Sequence, residues 1–315
     1  MARLPRRSAP PRSFLARLTG WIVKAVFLFI ILSLLWVLLY RFVAPPITAT
    51  QMGDLLGGRG VEKSWMPIDD IDRNMVRAAI AAEDGKFCSH GGFDVDAIAQ
   101  AAMRNARGGR IRGGSTISQQ TAKNAFLWQG GGYARKGLEA WFTLLIENLW
   151  GKRRIMEVYL NIAETGIGTY GANAGALRYF DHDASNMSRT EAARIAAILP
   201  LPKQRGAVAP KGFTRRYGNS IATRIGVVAR DGLDACVYAG AKASAPAEDA
   251  PEKPIRKKRP AAKRGAEPAA SAPLPGEEYE RETVPAPEPD LAVEPPAKEA
   301  ADTPVAAEPP PPEEQ

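Results

Sequence analysis

Ala79–Asp94 reads AIAAEDGKFCSHGGFD: an alanine-rich apolar run that ends on two adjacent carboxylates, Glu83 and Asp84, followed by an aromatic, a histidine and glycines. The alanines favour helix and the glycines end it. A carboxylate left beside apolar neighbours at such an end has its pKa raised by partial burial, towards the range useful to a general base. For this stretch alone a solvated helix-end carboxylate is the simpler reading. Outward from it, apolar residues recur at helical spacing near 71–82, 94–105, 116–127, 135–150, 153–163, 172–179, 190–199 and 217–230. Period-two strands are scarce, and Gly-rich connections at 108–114 and 130–132 break the helices. The pattern predicts a mostly α domain.

The chain has 315 residues and a formal net charge of +8, unevenly distributed. Residues 1–20 carry Arg3, Arg6, Arg7, Arg12 and Arg17 with no acid, and Trp21 to Val43 is apolar apart from Lys24, Ser33 and Arg41. About 20 helical residues cross a ~30 Å hydrocarbon core, so residues 21–43 are long enough to span a bilayer. A cleaved signal peptide is the rival, but its apolar region is shorter and ends in small residues. Here the run ends in Tyr40-Arg41-Phe42, which favours an uncleaved anchor. The leading arginines place the N-terminus in the cytoplasm, and Trp21, Trp36 and Tyr40 lie towards the two ends of the span, at interface depth. The remainder is expected outside the cytoplasm as a domain of residues 44–240. Residues 241–315 are dominated by Ala, Pro, Glu and Lys and are expected to be disordered. Their basic block, RKKRPAAKR from Arg256, is read as a solvated spacer or as a contact for an anionic surface. Cys88 and Cys236 are the only cysteines, forming either one bridge or two separate thiols.

Three further segments follow the first at short intervals: IRGGSTISQQTAKN from Ile111, RKGLEAWFTLLIE from Arg135 and KRRIMEVYLN from Lys152. With Glu83-Asp84-x-x-Phe87-x-x-His90-x-Gly92, they resemble the ordered motifs of the peptidoglycan glycosyltransferase family, in its monofunctional biosynthetic transglycosylase branch. The resemblance runs from about Pro67 to Pro202 and implies a lysozyme-like fold of two helical lobes around a cleft.

It also implies roles. Glu83 becomes the general base on the 4-hydroxyl of the acceptor sugar, with Asp84, Phe87 and His90 beside it. Glu139 becomes the second essential carboxylate, acting near the leaving group directly or through a divalent ion, while Arg135 and Lys136 hold phosphate. On a helix from Arg135, Glu139 shares the face of Arg135, and Lys136 is expected to point elsewhere. Ser115 and Thr116 open the next helix, with Thr116 and Gln119 at capping-box spacing, and the free N–H groups there suit an anion, with Lys123 adding charge. Gln120 and Asn124 belong to the same substrate-binding motif, in which Ser118 stands where the family usually has threonine. The preceding loop, with Arg104, Arg107, Arg110 and Arg112, is expected to face lipid headgroups and pyrophosphate. Lys152, Glu157, Tyr159 and Asn161 are expected to brace the cleft, with Met156 where leucine is common.

The implied reaction polymerises a lipid-linked disaccharide-peptide precursor (lipid II) into β-1,4 glycan with release of polyprenyl pyrophosphate. It requires no cofactor, although a divalent cation, Mg or Mn, is compatible with the pyrophosphate. Expected partners are the precursor, the growing glycan strand, membrane lipids and other cell-wall synthesis proteins, at the bacterial cytoplasmic membrane with the catalytic domain in the periplasm. Nucleic acid is not expected, because a membrane span makes anionic lipid the better match for a basic surface. No GxxxxGK[ST] string occurs, and GIGTYG at Gly166–Gly171 lacks a βαβ setting, so it reads as a loop between helices. Two histidines, His90 and His182, are too few for a zinc site. Neither SxxK nor KTG occurs, so no transpeptidase domain is expected. Two rival functions are a lysozyme-like hydrolase and a silent scaffold. A hydrolase has no use for the cations Lys123, Arg135 and Lys136, and a scaffold none for Glu83.

Overall fold

A computed structural model describes residues 14–106 and 114–238. The chain is mostly helical, led by one long apolar helix, α1 (Phe14–Phe42). There follow α2 (Ala49–Leu56), α3 (Arg73–Glu83), α4 (Val95–Ala106), α5 (Ile117–Phe126), α6 (Gly132–Leu149), α7 (Lys152–Ile162), α8 (Ala172–Phe180), α9 (Arg189–Ile198), α10 (Gly212–Arg230) and α11 (Ala235–Tyr238). Each helix expected from periodicity is present within a few residues. The exception in register is the last, which begins at Gly212 rather than near Tyr217. The expected loop at GIGTYG is instead a small sheet. In it β3 (Thr169–Tyr170) pairs antiparallel with β2 (Glu164–Gly166) and parallel with β1 (Glu62–Lys63). Such short strands carry too little alternation to be seen as a pattern.

Two helical groups form the core. In one, α3 packs against α9 and α10, and these also pack on each other. Alanines make this close approach feasible: Ala78, Ala79 and Ala81 on α3 and Ala192, Ala193, Ala196 and Ala197 on α9 are all buried. In the other group α5 packs against α6 and α7. The helix starts are written in the sequence, since Thr48, Thr116 and Ser188 each form a capping box with a Gln or Glu three residues on.

At 29 residues α1 is about 43 Å long, more than a hydrocarbon core requires. Its last turns dock on the domain. Trp141 donates its Nε1–H to the Ser33 hydroxyl at 3.1 Å, and Trp150 donates to the Val37 carbonyl at 2.8 Å. Trp36, Tyr40, Phe126, Phe142 and Trp150 interleave around the junction, Phe126 and Phe142 stacking with ring centres 4.7 Å apart.

A buried ionic knot ties the small sheet to the segment after α9. Asp54 on α2 accepts from Arg59 Nε at 2.7 Å, the Tyr170 hydroxyl at 2.8 Å and Lys203 Nζ at 3.1 Å. Burial alone would raise this carboxylate's pKa, but the three donors outweigh it and hold it below the ordinary range. Lys203 is thereby fixed two residues before Arg205. The expectations for residues 1–13, for the loop arginines Arg107, Arg110 and Arg112, and for the tail 239–315 lie outside the described residues.

Candidate active site

Glu83 is the last residue of α3 and Asp84 its C-cap, so the two carboxylates part as the chain leaves the helix. Glu83 is partly buried. Burial raises its pKa, and the neighbouring Asp84 adds to this, against a hydrogen bond from Gln120 and the charges of Arg205 and Lys123. Gln120 on α5 donates to Glu83 Oε2 at 2.8 Å, so this carboxylate is held across the interface between the two helical groups.

Asp84 turns the other way. Its carboxylate accepts from His90 Nε2 at 2.9 Å and from the backbone N–H of Ile117 at 3.0 Å. Gly92 donates its N–H to His90 Nδ1 at 3.1 Å, which leaves the ring proton on Nε2 to meet Asp84. Thr116 accepts from the Gln119 N–H at 3.1 Å and donates its hydroxyl to the Gly92 carbonyl at 2.7 Å, while the Gln119 side chain accepts from the Thr116 N–H at 3.0 Å. Three of the N–H groups at the start of α5, those of Thr116, Ile117 and Gln119, therefore already have partners. The anion there is Asp84, and Thr116 and Gln119 are taken up by the cap. Phe87 is fully buried with Lys152 Nζ 4.6 Å from its ring centre. Asp84 and His90 are thus bonded to each other and to the backbone around Gly92 and Ile117, with Phe87 buried in the same turn.

Gly92 is where the turn has no alternative residue. Its φ is +93°, and a Cβ there would stand 2.8 Å from both the Thr143 Cγ2 and the Glu147 Cγ. Glu147, which sequence reasoning missed, is itself a hub: Ser118 donates its hydroxyl to Oε1, and Lys152 donates to the same oxygen at 2.7 Å. The serine in place of threonine keeps that hydroxyl.

The cationic set forms around Glu139, which is buried on α6. Arg135 Nη1 lies 2.6 Å from Glu139 Oε2, and Lys136 Nζ pairs with Oε1. The expectation that Lys136 points away is corrected, because residues three apart also share a helical face and the long lysine stem closes the gap. Lys136 also donates to the Ser115 hydroxyl at 3.2 Å. Lys123 feels Glu139, Arg135, Lys136 and Glu83 together; burial, then the two cations, lower its pKa. It therefore joins the set around Glu139 rather than the cap at Thr116. Asn124 is partly buried beside it. Both Glu139 oxygens are taken by cations, and no group of three or more metal-ligating side chains exists among the described residues.

On α7, Asn161 donates to the Met66 carbonyl at 2.9 Å and accepts from the Met66 N–H at 2.8 Å, while Glu157 pairs with Arg154. Tyr159 is buried with its hydroxyl unpaired among the described residues; burial and then Glu83 push its pKa well up. Two residues near Glu83 escaped sequence reasoning. Arg205 reaches back to donate to the Ala197 carbonyl at 2.9 Å, and Tyr217 donates to the Ala82 carbonyl at 2.9 Å. No local pattern marks either.

A disulfide joins Cys88, in the turn after Glu83, to Cys236 on α11, with Cα atoms 5.4 Å apart. Of the two readings left open, the bridge is the one observed.

Comparison with known proteins agrees with the motifs. The transglycosylase family matches residues 49–225. A biosynthetic peptidoglycan transglycosylase from Caulobacter vibrioides is 48% identical over 225 residues, covering 71% of this chain and 98% of the relative. Proteins described in the same words from Xanthomonas oryzae pv. oryzae and Rhodospirillum centenum are each 47% identical; the first match covers 67% of this chain and 88% of the relative, the second 63% and 86%. The matched residues 49–225 include Glu83, Lys123, Arg135 and Glu139, and the chain belongs to the transglycosylase family, in its biosynthetic peptidoglycan transglycosylase branch.

Proposed function

We propose that this peptidoglycan transglycosylase joins lipid-linked disaccharide-peptide units (lipid II) into β-1,4 glycan and releases polyprenyl pyrophosphate. Glu83 removes the proton of the acceptor 4-hydroxyl; that oxygen attacks the anomeric carbon of the donor as the bond to pyrophosphate breaks, inverting the α-linkage to β. The leaving group takes the electron pair, and Lys123, Arg135 and Lys136 stabilise its charge. Glu139 keeps two of those cations in place. One observation supports this reading above the hydrolase: Lys123 stands in the fields of both the raised carboxylate and the Arg135–Glu139–Lys136 set. A base beside an anion cradle suits a pyrophosphate leaving group, and a neutral glycan needs no cradle.

The polyprenyl tail confines the substrate to a bilayer, so α1 is assigned the role of single-pass anchor, with the N-terminus inside and the domain in the periplasm. The Cys88–Cys236 bridge favours an oxidising compartment. The test is incubation of the detergent-solubilised protein with the lipid-linked precursor and gel analysis of the polymer. Glu83→Gln should lower the rate by about 10² to 10⁴ with an unchanged circular dichroism spectrum. Near-wild-type polymerisation by this variant overturns the assignment, and reducing-sugar release from purified peptidoglycan would favour the hydrolase.

A further inference from the structure

We propose that the cavity between α9 and α10 is a binding site for a phosphate-bearing ligand, separate from the catalytic centre. The cavity measures about 420 Å³, within the size range of small-molecule sites. Its polar lining comes from three segments: Thr190 and Arg194 on α9, Lys211 before α10, and Arg215 and Asn219 on α10. No acidic residue lines it. None of these five side chains makes a hydrogen bond or ion pair with another described residue. Elsewhere in the described chain cations such as Arg77, Arg135, Lys152 and Arg154 are each paired with a carboxylate. Three unpaired cations around one hollow repel one another until an anion enters.

Phosphate is the anion this geometry favours. Two guanidinium forks match its oxygens, and Lys211 adds a point charge. Lys211 is also the N-cap of α10 and makes no side-chain cap, so the amides at the head of a 19-residue helix are left for the same anion. Ala209 adjoins the cavity with φ of +46°, a conformation unfavourable for alanine and kept here at its rim. Apolar groups of Ala209, Pro210 and Ala222 give room for a small body beyond the phosphate.

The site is distinct from that of Glu83. At 100° per residue, Arg215 and Tyr217 project about 200° apart, and it is Tyr217 that reaches the end of α3. The phosphate has two sources, a soluble phosphate or a lipid headgroup. Titration of the full-length protein in detergent with inorganic phosphate and with glycerol 1-phosphate, at low ionic strength, reads the first. Nanodiscs of phosphatidylglycerol, compared with phosphatidylcholine, read the second. In one or both arms Arg194→Ala/Arg215→Ala should weaken a saturable component at least ~10-fold, the loss expected for charge-assisted hydrogen bonds. Arg135→Ala should leave that component intact. Lys211→Glu, on the exposed lip, provides a second variant should the double substitution unfold. If neither Arg194→Ala/Arg215→Ala nor Lys211→Glu, folded by circular dichroism, differs from wild type in either arm, the site is overturned.

Discussion

Opening the Cys88–Cys236 bridge should destabilise the domain by an amount its position in the chain determines. The two cysteines are 148 residues apart, so the covalent loop encloses most of the catalytic domain. Restricting a loop of that length removes denatured-state entropy equivalent to about 5 kcal/mol at 25 °C. For a domain of this size each kcal/mol corresponds to roughly 2–4 °C in Tm, so the expected fall is about 10–20 °C. The bridge also pins the turn between Glu83 and Gly92 against α11, on which Tyr238 lies under the guanidinium of Arg73, with Cζ 4.1 Å from its ring centre. The assay is thermal unfolding in detergent of the oxidised protein, the reduced protein and Cys88→Ser/Cys236→Ser. Reduced and doubly substituted forms should melt together, well below the oxidised form. A shift under about 4 °C in both would refute the argument, since it would mean the bridge constrains a denatured chain that is already compact there.

The activity of the wild type should follow a bell-shaped pH profile. Its acid limb lies above the ordinary glutamate value of 4.5, because burial raises Glu83 and only its ionised form accepts a proton; its alkaline limb lies below the ordinary lysine value of 10.5, because burial, then Arg135 and Lys136, lower Lys123. Lys136→Met should move the alkaline limb upward in the normalised profile; an unmoved limb removes Lys123 from that role. The same raised pKa makes ionised Glu83 destabilising: the penalty is absent below the ordinary carboxylate range and complete above the raised value, so Glu83→Gln should raise Tm at neutral pH and not at pH 3. Gly92→Ala should cost at least about 2 kcal/mol in chemical unfolding, given a positive φ and no room for a Cβ. Lys123→Ala and Arg135→Ala should each lower turnover about 10²-fold or more, the usual loss for a removed electrostatic stabiliser, and normal polymerisation by both would return the hydrolase reading.

Sequence periodicity was enough to place every long helix, since burial of one face repeats along a few residues and is written locally. The capping boxes and the Arg135–Glu139 pair were legible for the same reason: their partners are three or four residues apart. The order of motifs named the family. What tertiary structure alone decided are the contacts between distant segments. Asp84 closes on the N–H of Ile117, and Gln120 on Glu83, across separations of 33 and 37 residues. Ser33 meets Trp141 over 108 residues, and Cys88 meets Cys236 over 148. Glu83 and Asp84 are neighbours in sequence, but leaving the helix at Asp84 sends its carboxylate to the backbone N–H at the start of α5, a partner that no local pattern marks. Arg205 and the unpaired cations between α9 and α10 were equally silent, because a charge acquires its meaning from what the fold brings, or fails to bring, within reach.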